Sequence, residues 1–375
     1  MKIIAAMLLV CFSAPSVASA VDLGLITAGE GGTYHQFGFD LQRLVRPSGI
    51  KLTVHRSKGS VDNIFALSRQ RGVQMGIVQS DVLGFVAGEP GNPTLTRVAR
   101  SLRLVFPLYD EEVHVLGRRE IGDFDDLAGA RVAIGPEGSG TYLTARLLFK
   151  LAKVVPGEIV PIDGREALGQ LKAGRIDAMI YVGGYPLGFL KNDVTSKDRL
   201  ALIPISNKRI FESYDAVEIP NSAYDWQTTP VRTAAVKAVL VSNDVRGRDC
   251  DGVGLVAQQI ATGLDWLKRH GHPKWRQVDL DYQLKGWAPS DCVRRYVGRQ
   301  PAAAGQRFSG RHRSRPPGSQ GSLAQRLTAC GDCPTPTFRS STLVPGAGAP
   351  SQHPSLASAD GIELALIQKI RLPGG

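Results

Sequence analysis

The chain has 375 residues, 43% of them hydrophobic and 21% charged, enough apolar material for one large domain or two ordinary ones. A formal charge of +11 would normally point to nucleic acid or acidic membranes, but nine Arg/Lys against three Asp/Glu fall after Val297. The rest is mildly basic and has no Lys/Arg stripe interleaved with aromatics, which argues against nucleic acid as a partner.

Residues 1–20 read as a signal peptide. Lys2 gives a short positive segment, Ile3 to Phe12 an apolar run, and Ala18-Ser19-Ala20 a small-x-small pattern for cleavage after Ala20. The run is too short to span a bilayer, which takes about 20 residues, and no later stretch approaches that length. The mature chain is therefore expected in the periplasm and not to be membrane-spanning. Export also bears on the five cysteines. Cys11 leaves with the signal peptide, and Cys330 and Cys333 lie near the C-terminus. Cys250 and Cys292 are then either a disulfide or two buried thiols.

From Val21 to about Cys292 short apolar runs alternate with helical patterns, the mark of an α/β architecture. A strand over Asp22 to Ala28 meets the turn Gly29-Glu30-Gly31-Gly32. The helix beginning at Thr33 then places Phe37, Leu41, Leu44 and Val45 on one face. A strand at Ile50 to Arg56, a helix from Ser60, a strand at Val73 to Val78 and a helix opened by Gln79-Ser80-Asp81 follow. Leu102 to Arg118 is a single long extended segment, long enough to cross between lobes. The pattern then restarts with a strand at Arg131 to Ile134 and a helix from Ser139. A strand at Glu158 to Ile162, a helix at Arg165 to Ala173 and a strand at Ile176 to Val182 complete it. Thr233 to Val241 can carry the chain back, and Gly252 to Arg269 reads as one amphipathic helix with Val256, Ile260, Leu264 and Leu267 on one face. The expectation is two α/β lobes joined by a two-segment hinge. Lobe 1 takes 21–108 and 237–296, and lobe 2 takes 109–236. A single doubly wound sheet is the competing arrangement. The 297–375 segment, with 9 of the 23 prolines, reads as disordered or as the product of a reading-frame shift.

Three places combine a strand end, a small polar turn and a helix start. They are Gly31-Gly32-Thr33-Tyr34, Lys58-Gly59-Ser60 and Gly138-Ser139-Gly140-Thr141. Each presents unpaired N–H groups at the positive end of a helix dipole, a ready seat for a carboxylate or phosphate. One such turn can be ordinary capping; three shared between two lobes favour an anion site at the carboxyl ends of the strands. Catalytic templates fit poorly. Gly135 to Gly140 lacks the lysine of a P-loop, since Thr141 stands there. Gly138-Ser139-Gly140 lacks the outer glycines of a nucleophile elbow, and Gly29 to Tyr34 fails the dinucleotide-binding glycine spacing. His270 and His272 have no third ligand nearby and read as a solvated loop, so no metal or cofactor is expected. Glu111, Glu112 and His114 read as a hinge-region ion pair rather than acid–base machinery.

In order and spacing, several segments resemble the TAXI family, the extracytoplasmic solute receptors of TRAP transporters. Gly31 to Tyr34, Lys58-Gly59-Ser60-Val61-Asp62-Asn63 and Val78-Gln79-Ser80-Asp81 are similar to its first lobe. Leu108-Tyr109, Glu112 to Val115, Gly135 to Thr141 and Asp177 to Pro186 are similar to its second, and Gly271 to Trp275 to its closing segment. The resemblance runs from about Asp22 to Cys292 and implies a type II periplasmic binding-protein fold with the ligand in the interlobe cleft. It also implies no catalysis, a small organic anion of the glutamate, glutamine or 2-oxoacid class, and delivery to a TRAP membrane permease. Gly32, Thr33, Tyr34, Ser60, Gln79 and Ser80 would line the first wall of that cleft. Gly138, Ser139, Gly140, Thr141 and Tyr181 would line the second. Thr33 and Ser139 to Thr141 would bond the carboxylate, while Tyr34 and Tyr181 would cover the apolar stem. A secreted hydrolase on the same scaffold and a ligand-sensing surface protein are the alternatives.

Overall fold

The structure, a computed structural model, describes residues 21–88 and 92–297. The expected signal peptide (1–20) and all but the first residue of the C-terminal segment lie outside the described residues. That first residue, Val297, ends a helix instead.

Strand, turn and helix alternate as β1 (Val21–Ile26), α1 (Thr33–Val45), β2 (Ile50–His55), α2 (Ser60–Arg69), β3 (Met75–Gln79) and α3 (Ser80–Ala87). On α1, Phe37, Leu41 and Val45 recur every four residues and are fully buried, whereas Leu44 is only partly so. α4 (Pro93–Ser101), which the sequence reading lacks, starts where the Asn92 side chain accepts from Thr94 and Leu95 N–H and Pro93 opens the first turn. It leads into β4 (Leu102–Arg118), the 17-residue crossing strand. β5 (Arg131–Ala133), α5 (Gly140–Ala152), β6 (Glu158–Val160), α6 (Gly164–Lys172), β7 (Ala178–Gly183), α7 (Gly188–Asp193), β8 (Leu200–Leu202) and β9 (Asp215–Ile219) follow. β10 (Val231–Asn243) returns antiparallel to β4, and α8 (Gly247–His270) and α9 (Asp291–Val297) complete the described chain.

Hydrogen bonds link ten strands in the order β2-β1-β3-β10-β4-β7-β5-β6, with β8 on β4 and β9 on β10. The continuity runs only through β4 and β10. Val239 to Asn243 pairs with the first part of β4 beside β3, while Val231 to Ala235 pairs with β9, and Glu112 to Gly117 with β7. The β4–β10 register shifts between Lys237 and Val239, where Pro107 interrupts β4's run of N–H donors, and again between Leu240 and Val241. Each half buries apolar side chains on both faces. Phe37, Leu41 and Ile260 pack on one side of the first half, and Ile64, Val82 and Val98 on the other. In the second half Val132 and Leu148 oppose Leu168 and Leu190. Two two-faced α/β halves joined by two crossing strands form the type II periplasmic binding-protein fold.

The segment after α8 is fastened to the first half. A 3-10 turn at Pro273–Gln277 seats Trp275, fully buried, flat on Phe37 at 4.2 Å, with its Nε1 donating to Asp40 at 2.8 Å. Asp40 also accepts the His272 N–H at 2.7 Å. His272 is thus buried rather than solvated, and burial lowers its ring to about 4. The Cys250–Cys292 disulfide ties α9 to α8, and Tyr296 donates to Asp251 at 3.1 Å beside it. Among the described residues no helix is long and apolar enough to cross a membrane.

Candidate functional site

A cavity of about 560 Å³ lies between the two halves. Four helix N-termini meet around it: α1 at Thr33 and α2 at Ser60 from the first half, α5 at Gly140 and α6 at Gly164 from the second. The first N–H groups of a helix have no intrahelical acceptor and carry the positive end of its dipole. Gly59, just before α2, holds φ at 131°, a left-handed shape that suits glycine, and brings this turn against Ser139 and Gly140.

Within this frame the side chains divide by what their hydroxyls already do. Ser139 Oγ caps α5 by accepting from Tyr142 N–H at 3.0 Å, and Thr141 Oγ1 accepts from Val182 N–H at 3.0 Å. Each keeps its own proton to donate. Thr33 has instead spent its proton on the Gly184 carbonyl across the cleft, at 3.0 Å, so what it offers a ligand is its N–H. Tyr34 lines the cavity with its hydroxyl already engaged: it donates to Glu111 Oε1 at 2.6 Å and lies 3.3 Å from Ser60 Oγ. Ser60 in turn reaches Gln79 Oε1 at 3.4 Å. Tyr181 stands edge-on to Phe189, and burial pushes its phenol up to about 12, so it stays a neutral donor.

Gly32 lines the cavity as the N-cap of α1, but two expected residues do not. Ser80 begins α3 and turns toward β10, where its Oγ accepts the Lys237 N–H at 3.0 Å. Gly138 accepts the Asp62 N–H on its carbonyl at 3.1 Å and so bridges the halves beside the cavity. Five charged residues outside the expected ligand set do line it: Glu30, Lys58, Glu111, Asp163 and Arg165. Arg165 sits at a fourth strand–turn–helix junction, Asp163-Gly164-Arg165, which the rule used for the other three would have found. Glu111 and Glu112 are buried neighbours on the crossing strand, so alternation must send one to each face. The ion pair expected among Glu111, Glu112 and His114 is not formed; Glu112 pairs instead with Lys274, both nearly fully buried, and Glu111 takes no part in it. His114 bonds the Glu112 carbonyl and the Tyr224 hydroxyl, each at 2.9 Å, and burial lowers it to about 3.

The halves also meet at Asp81, which accepts from Thr144 at 2.7 Å and Tyr214 at 3.2 Å across the cleft. Burial pushes this carboxyl up to about 6, with those hydroxyl bonds opposing the shift. The folded state thus holds a proton that an unfolded aspartate has released, so stability falls as pH rises from about 4 to 6 and levels off above. Asp81→Asn is expected to remove about 2–3 kcal/mol of that fall, read as the difference between wild-type and variant urea unfolding at pH 4 and pH 7. An unchanged pH profile in the variant contradicts the assignment.

Two α/β lobes closed over a cavity ringed by helix N-termini define the fold class of periplasmic binding proteins. The chain belongs to the NMT1-like family, whose model matches residues 25–249. Among solved structures, it is similar to MatC from Rhodopseudomonas palustris with bound malate, at 16% identity and TM-score 0.45, covering 68% of this chain and 86% of that one. It is also similar to the periplasmic binding protein BugD, at 14% identity and TM-score 0.43, covering 68% and 84%.

Proposed function

We propose that the protein is an extracytoplasmic solute receptor of the TAXI type, which binds a small organic anion in the periplasm and delivers it to a TRAP membrane permease. The lobes part at 108/109 and 236/237, and the ligand is held between them without turnover. The observation that carries this reading is the convergence of helix N-termini from both lobes on one cavity. A carboxylate seated there takes N–H bonds from α5 and the hydroxyl protons of Ser139 and Thr141, and its charge favours the closed arrangement of the lobes. The ligand-binding set is Gly32, Thr33, Tyr34, Ser60, Gln79, Ser139, Gly140, Thr141 and Tyr181.

The hydroxyls supply the test. A hydrogen bond to a charged group contributes about 1.5–3 kcal/mol, so Ser139→Ala with Thr141→Ala is expected to weaken carboxylate binding at least tenfold. Calorimetry gives the affinity. Loss of the α5 cap destabilises the helix by about 1 kcal/mol, so the fold of the variant is checked by its unfolding transition. Unchanged affinity in a folded double variant contradicts the site.

A further inference from the structure

We propose that the ligand carries an ammonium group as well as a carboxylate, and that Glu111 receives the ammonium. The inference rests on the solute-receptor reading and names the ligand class of that same cavity: an α-amino acid rather than a 2-oxo or 2-hydroxy acid.

The argument is one of charge layout. Three carboxyl groups line the cavity, and two are already committed. Glu30 pairs with Arg56 at 2.9 Å, and Asp163 caps α6 by accepting from the Arg165 and Glu166 N–H groups. Glu111 is different. It is 2% exposed, and its Oε1 accepts from the Tyr34 hydroxyl, a neutral donor. Among the described residues no cation forms an ion pair with it, and Lys274, whose field reaches it, is held by Glu112. The second wall is positive through the N-termini of α5 and α6, while its Arg165 guanidinium is paired with Asp193 at 3.0 Å. Around Glu111 the field is negative, because Asp81 and Glu112 add to it. A second ligand carboxylate would have the fields of Asp81 and Glu112 against it there, whereas an ammonium would meet a buried carboxyl lacking a counter-ion. The cavity is thus polarised, positive for an acid group and negative for an amine.

The proton balance follows. In the empty cavity, burial above all, with the fields of Asp81 and Glu112, holds Glu111 well above the usual carboxylate range. The groups facing it are Tyr34 from α1, Asp81 from α3, Lys274 from the 3-10 turn and Tyr181 from β7, with Tyr109 and Glu112 on its own strand. A ligand ammonium beside Glu111 pulls its pKa back down, so at pH values below that of the empty site the O–H bond of Glu111 ionises on binding and the proton passes to solvent. Binding therefore releases a proton, and affinity rises with pH up to the value of the empty site.

Matched pairs test this by calorimetry on the purified full chain: glutamate with 2-oxoglutarate, alanine with pyruvate, and leucine with 4-methyl-2-oxopentanoate. Titration in two buffers of different ionisation enthalpy counts protons. The amino acid of the pair that binds is expected to be at least tenfold tighter than its 2-oxo partner, with proton release that diminishes as the pH of the titration is raised. Glu111→Gln is expected to cost the amino acid at least tenfold more affinity than it costs the 2-oxo acid. If that variant does not fold, the proton count on the unmodified protein decides. A 2-oxo acid that binds as tightly, or binding without proton release, overturns the inference and leaves the receptor reading standing. Binding of neither class contradicts the receptor reading itself.

Discussion

Lys274→Met is expected to destabilise the protein by about 3–5 kcal/mol, because it leaves the buried Glu112 carboxylate without its counter-charge. Lys274 is 1% exposed, and its ammonium has three partners: Glu112, Gln277 Oε1 at 2.8 Å and the face of the Tyr185 ring at 4.0 Å. It therefore joins the segment after α8 to the crossing strand and to the second lobe. Burial pushes Glu112 up to about 7 and Lys274 down, and each charge pulls the other back. Without the lysine, Glu112 titrates higher still and survives by taking a proton. The destabilisation should accordingly be larger at pH 8 than at pH 5. Adding Glu112→Gln removes the stranded charge while keeping an acceptor for the Tyr185 N–H, and should recover a large part of the loss. Urea unfolding of the two single variants and the double variant closes the cycle. A single variant that loses less than about 1 kcal/mol would show that the pair does not hold the junction.

Gly140→Val is expected to act on affinity instead. A Cβ at Gly140 would stand 1.6 Å from Gln79 Oε1 and 2.8 Å from Ser60 Oγ, both on the opposite lobe. An alanine could be accommodated by swinging the Gln79 amide. The two methyls of valine also crowd Ser60, which is 1% exposed and already bonded to Gln79. Gly140 is the first residue of α5, and the three atoms nearest that Cβ all belong to the opposite lobe, so the ligand-free protein should keep its unfolding midpoint. The overlap exists only when the lobes are together. Overpacking of this kind costs about 1–3 kcal/mol, which lowers apparent affinity about 5- to 150-fold by disfavouring the closed form. Calorimetry with the carboxylate bound by the wild type reads the change. Unaltered affinity would mean that this juxtaposition is not the binding arrangement.

The sequence made most of this legible where a physical rule repeats. The strand–turn–helix units of both lobes announce themselves through apolar periodicity and glycine turns, and Leu102 to Arg118 is an extended run in the structure as in the sequence. Short elements were harder. β9 has only Ile219 buried, and α7 has six residues, too few for a helical period to emerge. At the site, the backbone turns were readable but the direction of each side chain was not. Ser80 follows the last residue of β3, and the helical turn starting there aims its hydroxyl at Lys237 N–H, a fact no local pattern contains. Thr33 lies where expected, yet spends its proton on Gly184, 151 positions away. Glu111 was hidden for the opposite reason: two adjacent glutamates invite one shared explanation, while a strand sends them to opposite faces.

Thermal unfolding of the purified protein against a panel of amino acids, dicarboxylates and 2-oxoacids tests the central claim, that the interlobe cavity binds a small organic anion. At a ligand concentration 100-fold above Kd the folded state should gain about 2.7 kcal/mol. The midpoint then rises by about 3–5 °C for a chain of this size. The rise should shrink when Ser139→Ala and Thr141→Ala are combined. A transition that no carboxylate in the panel moves would contradict the account.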